Sequence, residues 1–223
     1  MTSFVLKIIA CITMLIDHLS YALFGKLTWL NYIGRIAFPI FAYQIVEGYS
    51  HTKDIKKYFI RLFAFAMISQ IPFYIFHSIV SEQFALNVMF TLLLGLLCIW
   101  IWDKMPIKPI AVCIIAILAF IAELLHTDYG YWGVLLIFVL HLCKDNKTAI
   151  CVSYIAMILL KYLPNLIKYN FYHVYIWLFI GTIFALLPIL LYNGKQGKKI
   201  KYFLYIFYPV HLLCLYGIHL ILG

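Results

Sequence analysis

Charge is scarce in this sequence, and acidic residues are especially few. Asp, Glu, Lys and Arg make up 11% of the 223 residues, whereas 66% are hydrophobic and 18% are aromatic. Soluble chains are about one quarter charged and about half apolar, so a soluble domain of this length could not bury so much apolar surface. The composition excludes an ordinary soluble protein and predicts one embedded in a lipid bilayer.

Three further features are missing. The six cysteines include no CxxC pair and no metal-type spacing, so we interpret them as small buried hydrophobes and expect no metal site. No early stretch resembles a cleavable signal peptide, so we expect Met1 to begin the mature protein. Neither a long hydrophilic block nor an internal repeat divides the chain, which predicts a single transmembrane domain over residues 1–223.

Nine apolar runs can be assigned as helices that cross a hydrocarbon core of about 30 Å. They are Phe4–Phe24, Leu30–Gly48, Tyr58–Ile79, Leu86–Trp102, Ile107–Leu125, Tyr131–Cys143, Thr148–Leu163, Phe171–Tyr192 and Ile200–Leu222. The runs at Tyr131 and Thr148 are short, which indicates tilted, thin-side or partly re-entrant segments. We therefore expect an all-α polytopic membrane protein, a single bundle of about nine transmembrane helices.

Basic residues lie almost entirely in every second connection between these runs. Thirteen of the 17 basic residues belong to one alternating set, which the positive-inside rule assigns to the cytoplasm. The set is Lys7, Lys53, Lys56, Lys57, Arg61, Lys104, Lys108, Lys144, Lys147, Lys195, Lys198, Lys199 and Lys201. This predicts a multi-pass protein of the cytoplasmic membrane with its N-terminus inside and its C-terminus outside. Because topology accounts for the net charge of +9, we expect no nucleic-acid partner.

The first helix joins a basic inner end to a histidine in the outer half of the membrane. Lys7 and His18 are eleven residues apart, on one helical face and about 16 Å apart along the axis. Asp17 adjoins His18, and an ionisable residue at the centre of a membrane helix costs about 2.5–3.5 kcal/mol, which favours a functional role. The competing interpretation is that His18 only bonds a neighbouring helix.

Other polar residues also have a structural and a functional interpretation. Arg35, in the second run, is placed to form an ion pair with Asp17, which either stabilises the bundle or orients a reacting group. An inner cluster either marks topology and attracts anionic lipid or binds a phosphorylated cytosolic ligand. That cluster is Glu47, His51, Lys53, Lys56, Lys57 and Arg61. The candidates for a pocket in the outer half and at mid-depth are Gln70, Asn87, Asp128, Tyr129, Tyr208 and His211.

A series of motifs, in one order from the first run to the last, resembles the TraX family. They are Asp17-His18, GRIAFPIF from Gly34, EGYSHT from Glu47, SQIPF from Ser69, NVMFTLLLG from Asn87, Asp128-Tyr129-Gly130 and YPVH from Tyr208. TraX-type proteins are linked to N-terminal acetylation of conjugative pilin. They look like compact relatives of multi-pass acyltransferases, such as acyltransferase-3 proteins and heparan-glucosaminide N-acetyltransferase. Acyltransferase-3 proteins carry a basic residue, ten residues and then a histidine in an early helix. Lys7 to His18 has that spacing, with Lys where Arg is usual.

The resemblance implies a transmembrane acetyltransferase that uses cytosolic acetyl-CoA. Lys7 and the inner cluster, with Glu47, His51, Lys53, Lys57 and Arg61, would hold the donor. His18 would act as general base or as an acetylated nucleophile. Asp17, Arg35 and Glu123 would orient it and the acceptor. The acceptor would be an amine or hydroxyl at the outer side, such as a peptide or pilin N-terminus.

The chain departs from the family pattern at two positions. Gln70 stands where the family often has Glu, and Tyr74 stands where it often has Asp. Their loss makes the outer pocket less acidic, so the acceptor can differ from that of typical members.

Two other functions stay open at this stage. A small-solute or proton-coupled transporter would also show intramembrane Asp, Glu and His with Pro-interrupted helices. A non-catalytic factor for pilus or secretion assembly would not depend on His18 or on any single cytosolic lysine. Only the acetyltransferase is expected to respond to acetyl-CoA, and the sequence does not indicate an oligomeric state.

Overall fold

The computed structural model describes residues 1–170, 172–198 and 202–222, and within these residues the chain is helical. The helices are α1 Ser3–Phe24, α2 Leu30–Gly34, α3 Ala37–His51, α4 Ile55–His77, α5 Val88–Lys104, α6 Lys108–Leu124, α7 Gly130–Cys143, α8 Lys147–Lys168, α9 His173–Ile183, α10 Leu186–Leu190 and α11 Phe203–Leu222. The all-α fold class is confirmed. The predicted span starts Phe171 and Ile200, and the predicted cytoplasmic residues Lys199 and Lys201, lie outside the described residues.

Among the described residues, five helical segments are long and apolar enough to cross a membrane. They are α1, α4, α8, the pair α9–α10 over His173–Leu190, and α11. Large apolar side chains lie exposed on these helices, with Ile71 and Leu160 each 70% exposed and Ile221 82%. Such a surface suits lipid rather than water. The chain is therefore a membrane protein, while nine spans and the sidedness of its termini stay predictions.

The two short runs have different outcomes. The run at Tyr131 corresponds to α7, which has 14 residues and is short as predicted. The expectation of a short segment at Thr148 is wrong, because α8 is 22 residues long and continues through Pro164. Proline disfavours a helical conformation in the residue before it, and the predicted run stopped at that point. The helix continues for another turn and ends at Lys168.

Two predicted runs are divided in the structure. The run from Leu30 is broken between α2 and α3, so Arg35 lies in a turn that ends α2 rather than inside a helix. Pro39 then occupies the first turn of α3, where the missing backbone N–H would have no helical partner in any case. The run that ends at Tyr192 is divided into α9 and α10.

The described chain forms two compact units, and the first comprises Met1–Phe41, Ile75–Glu82 and Tyr154–Gly223. Within it α1 packs against α2 and α11, and α2 packs against α9. Backbone hydrogen bonds join the N-terminus to the loop after α10. Ser3 N–H donates to the Lys195 carbonyl at 2.9 Å, and Asn193 N–H donates to the Met1 carbonyl at 2.9 Å. The N-terminus and this loop therefore lie at one end of the unit, as their shared cytoplasmic assignment requires.

The second unit comprises Ala42–Tyr74 and Gln83–Ser153. Here α5, α6 and α7 pack together around the buried residues Cys98, Ile115, Ala119, Ala122 and Val134. The loops before α5 and α7 meet, because Asp128 N–H donates to the Leu86 carbonyl at 2.9 Å. Both loops belong to the set predicted to lie outside. That the whole chain forms one membrane domain stays a prediction.

Candidate active site

The predicted ion pair joins α1 to the turn after α2. The Arg35 Nη2 donates to Asp17 Oδ1 at 2.7 Å, so this expectation is confirmed. Asn31 Nδ2 donates to the same carboxylate oxygen at 3.1 Å. The close approach depends on Gly34, because a Cβ there would lie 2.2 Å from Asp17 Oδ1. The Asp17 carboxylate therefore connects α1 to α2 and to the turn that follows α2. We call this junction the α1–α2 corner.

A second layer of hydrogen bonds supports this corner. The Asn31 side-chain oxygen accepts from the Ser20 hydroxyl at 2.8 Å and from the Thr28 backbone N–H at 2.7 Å. Ser20 and Asn31 are both fully buried. Buried polar groups are stable only when their hydrogen bonds are made. Asn31 thus couples Asp17 to the loop between the two helices, and it was not among the predicted site residues.

His18 forms its hydrogen bond with a residue from the other end of the chain. His18 Nδ1 lies 2.7 Å from His211 Nε2, and the two rings are stacked with their centroids 5.0 Å apart. His211 Nδ1 lies 2.9 Å from the Phe207 carbonyl oxygen one turn earlier in α11. The edge of Phe76 contacts His18, with ring centroids 5.2 Å apart. His211 is buried, while His18 is partly accessible.

The tautomers of both rings follow from these partners. A carbonyl oxygen can only accept, so His211 Nδ1 carries the proton. The Nε2 of a neutral His211 is then an acceptor, which requires His18 Nδ1 to be the donor. His18 Nε2 is left with a free lone pair, and no described residue forms a hydrogen bond with it. A neutral imidazole nitrogen in this state can accept a proton or attack a carbonyl carbon.

The other predicted catalytic residue, Glu123, lies in the second unit. It is exposed near the end of α6, and its carboxylate accepts the Tyr131 backbone N–H at 3.4 Å. A Cβ at Gly130 would lie 2.4 Å from this carboxylate. An acidic group at the N-terminus of α7 is favourable because the unsatisfied N–H groups there carry partial positive charge. Glu123 has this capping contact, and its role toward His18 stays a prediction.

The predicted pocket residues divide between the two units. Tyr208 lies beside His211 in α11, with ring centroids 5.7 Å apart. Gln70 and Asn87, in the second unit, bind each other, with Asn87 Nδ2 donating to Gln70 Oε1 at 2.9 Å. Gln70 Nε2 also donates to the Ala85 carbonyl, and Asn87 Oδ1 caps α5 by accepting from Met89 N–H. These amides bind one another and the backbone, which is typical of a structural crosslink.

Asp128 and Tyr129 belong to the loop that leads into α7. The Asp128 N–H bonds the Leu86 carbonyl, and the Tyr129 N–H lies 3.5 Å from the Thr91 hydroxyl. Their backbones therefore tie this loop to the start of α5. Their side chains stay candidates for contact with an acceptor.

Residues of the inner cluster contact one another or adjacent side chains. Glu47 lies 3.6 Å from His51, and Lys57 lies 3.1 Å from Asp54. The pKa of Asp54 is lowered, chiefly because its carboxylate accepts the Lys57 backbone N–H at the start of α4 and because the Lys57 ammonium lies beside it. Arg61 stacks over the ring of Tyr58 at 5.3 Å.

The two remaining basic candidates belong to different units. Lys53 is exposed in the short connection between α3 and α4. Lys7 is half-buried on α1 in the first unit, on the same helix as His18.

A polar group at the ends of α3, α5 and α7 was not predicted. His141 Nε2 lies 3.0 Å from Asp103 Oδ1, and the Tyr49 ring meets the His141 ring edge-on. The buried Nδ1 of His141 has no hydrogen-bond partner among the described residues. A histidine within the apolar run of α7 could have indicated a polar site. Its partner, Asp103, is 38 residues earlier in the chain and could not be inferred from local sequence.

Comparison with known proteins places the chain in a family. The TraX protein family model matches residues 3–219. A similar protein is the "Probable fimbrial assembly protein FimC, serogroup H1" of Dichelobacter nodosus, which is 32% identical over 243 residues, covering 96% of this chain and 94% of the relative. No solved structure matches the chain. The motifs from Asp17 to His211 thus lie within a match over almost the whole chain, and this protein belongs to the TraX family.

Proposed function

We propose that this protein serves pilus assembly as a transmembrane acetyltransferase, which moves an acetyl group from cytosolic acetyl-CoA to an acceptor at the outer side of the membrane. The preferred acceptor is an amine, such as a peptide or pilin N-terminus. The observation that carries the proposal is the unpaired Nε2 of His18, whose ring lies beside the buried His211. The name of the Dichelobacter relative supports the part of the proposal that concerns assembly.

In the proposed reaction His18 moves one proton. Its Nε2 lone pair accepts a proton from the neutral acceptor amine as the amine nitrogen attacks the thioester carbonyl carbon. The new C–N bond forms, the C–S bond breaks, and the proton on Nε2 passes to the departing CoA sulfur. The products are the acetylated amine and free CoA, and His18 returns to its starting tautomer.

The donor requires cationic groups at the cytosolic side, because CoA carries several phosphates. Lys7 lies on α1 eleven residues before His18, about 16 Å away along the helix axis. That separation suits an extended pantetheine arm between a bound phosphate and the reacting thioester. In the second unit, Lys53, Lys57 and Arg61 stay predicted contacts for the donor, and there Lys57 pairs with Asp54 and Arg61 stacks over the Tyr58 ring.

The test uses the purified protein in lipid nanodiscs with labelled acetyl-CoA and a pilin-derived peptide. Mass spectrometry should detect acetylation at the peptide N-terminus, and His18→Ala should lower the rate by about 10²–10⁴-fold, the usual contribution of a general base. His173→Ala is the matched control, because His173 is an exposed histidine of α9. A folded His18→Ala protein that transfers acetyl groups at the normal rate would refute the proposal. Acetyl-CoA should also raise the melting temperature, which a transporter of another solute would not show.

A second candidate, a non-catalytic assembly factor, is favoured by the similarity to a probable fimbrial assembly protein. Complementation of cells that lack the gene distinguishes the two functions. If the protein is an enzyme, cells complemented with His18→Ala contain unacetylated pilin. If it is only an assembly factor, pilin is unacetylated in all strains, and His18→Ala restores pili as well as the unmodified protein does.

A further inference from the structure

We propose that His211 is a positioning residue that fixes His18 in the tautomer with an unprotonated Nε2 and shares the proton that His18 takes up. This inference rests on the proposed function and adds to it the residue that sets the reactive atom. The contacts that carry it join the first and last long helices of one compact unit.

His211 is held in one ring orientation. The ring of Phe207 stacks on it with centroids 4.8 Å apart and an interplanar angle of 10°, and His18 stacks with it at 5.0 Å and 19°. Its Nδ1 bonds the Phe207 carbonyl at 2.9 Å. A carbonyl oxygen has two lone pairs, so it can accept from an imidazole in addition to a backbone N–H. Rotating the ring by 180° would break the hydrogen bonds at both nitrogens of His211.

The bonds form a directional chain from the Phe207 carbonyl through His211 to His18. His211 Nδ1 donates to the carbonyl, and His18 Nδ1 donates to His211 Nε2. The Nε2 of His18 is therefore the acceptor at the end of the chain of hydrogen bonds. In serine hydrolases a carboxylate sets the tautomer of the catalytic histidine. Here the adjacent carboxylate, Asp17, is bound to Arg35 and Asn31, and the orienting hydrogen bond comes from a neutral imidazole.

This series of hydrogen bonds also allows His18 and His211 to share the proton that His18 accepts. When His18 Nε2 takes a proton, the ring becomes a cation with hydrogens on both nitrogens. Its Nδ1 proton then lies in a 2.7 Å contact with His211 Nε2, and charge-assisted hydrogen bonds are stronger than neutral ones. Passing the proton on would make His211 the cation and leave His18 neutral again. Both arrangements conserve protons and charge.

A purely structural role, in which the pair only fastens α11 to α1, predicts different results. The same two helices share another histidine contact, between His219 Nδ1 and the Ala22 carbonyl at 2.9 Å. His219→Leu therefore removes an α1–α11 hydrogen bond of similar length without touching His18. It is the matched control for stability.

The experiment uses the full-length protein in nanodiscs with ¹⁵N-labelled histidine. Nitrogen NMR, assigned with single-site variants, should show His18 and His211 both protonated at Nδ1. In His211→Leu the His18 signal should move toward the Nε2–H form, and kcat should fall by about 10²-fold with the KM for acetyl-CoA unchanged. His211→Gln should retain the His18 tautomer and restore part of kcat, because its amide can accept from His18 and donate to Phe207.

Several outcomes would overturn the inference. If neutral His18 of the wild-type protein carries its proton on Nε2, the inference is wrong, and this result does not require His211→Leu to fold. An unchanged tautomer and kcat in a folded His211→Leu protein would also overturn it, as would a loss of kcat in His219→Leu equal to that in His211→Leu. A wild-type protein that transfers no acetyl group would instead refute the proposed function, and the NMR assignment would still decide whether His211 sets the tautomer.

Discussion

At the scale of the residue, Arg35 is expected to contribute to folding through the carboxylate that it holds. The side chains of Asp17 and Arg35 are 12% and 21% exposed, and removing one partner of a buried ion pair costs about 3–5 kcal/mol. Arg35→Met should therefore lower the free energy of unfolding by about 3 kcal/mol, toward the lower end of that range because Arg35 is partly exposed. Reversible unfolding in mixed detergent micelles measures this change.

Two further variants make that result specific. Lys26→Met removes an exposed cation between α1 and α2 and should change stability little. Adding Asp17→Asn to Arg35→Met removes both charges, so the double variant should be more stable than Arg35→Met alone. A loss of less than about 1 kcal/mol in Arg35→Met would mean that the pair behaves as a surface salt bridge.

Residue types predicted some of this site but not its connections. Asp17, His18 and Arg35 stood out because ionisable side chains are costly in a bilayer, and the short connection between their helices made the ion pair predictable. The contact between His18 and His211 spans 193 residues of sequence, and helical periodicity carries no information at that distance. Gln70 illustrates a different limit. Its amide donates to Ala85 and accepts from Asn87, a pair of bonds that an ionised Glu could not form.

At the scale of the element, the approach of α9 to α2 depends on Gly181. A Cβ at this position would lie 2.1 Å from the Tyr32 carbonyl oxygen, which is a backbone atom and cannot rotate away. Gly181→Ala should therefore separate the helices and lower stability by about 1–3 kcal/mol, as overpacking of cores does. The measurement is the melting temperature, obtained from the loss of monodisperse protein as the temperature rises.

Gly217→Ala is the control for helix propensity. Gly217 lies in α11, and nothing lies within 4 Å of the position of its Cβ. Alanine is favoured over glycine within helices by about 0.5–1 kcal/mol, so this variant should be as stable as the unmodified protein or more stable. Equal effects of the two substitutions would contradict a steric role for Gly181.

Helices were more predictable than their ends and breaks. Apolar runs identified the long helices because a bilayer requires uninterrupted apolar segments. The break at Arg35 lies where its side chain forms the ion pair with Asp17. The continuation of α8 through Pro164 shows that proline does not always end a helix in a membrane protein. The partner of Arg35 is 18 residues earlier in the chain, which is beyond the reach of a local helical pattern.

At the scale of the whole molecule, the proposed reaction requires a defined sidedness, because cytosolic donor and external acceptor are separated by the bilayer. Nine spans with basic connections inside predict that the C-terminus is external and that Asp54 and Asp145 lie in cytosolic loops. Contacts within each unit agree with this grouping, since Met1 adjoins Asn193, and Lys144 Nζ lies 3.4 Å from the Ser50 hydroxyl.

Reporter fusions test the sidedness directly. Alkaline phosphatase, which folds only outside the cytoplasm, should be active when fused at the C-terminus or after Glu82. Green fluorescent protein, which fluoresces when it folds inside, should be bright when fused at the N-terminus or after Asp145. A fluorescent C-terminal fusion would indicate an even number of spans and contradict the nine-helix topology. Because His18 lies on α1, before the first external loop, that outcome would leave its position relative to the N-terminus unchanged. The proposal of an external acceptor would then depend on the N-terminal fusion alone.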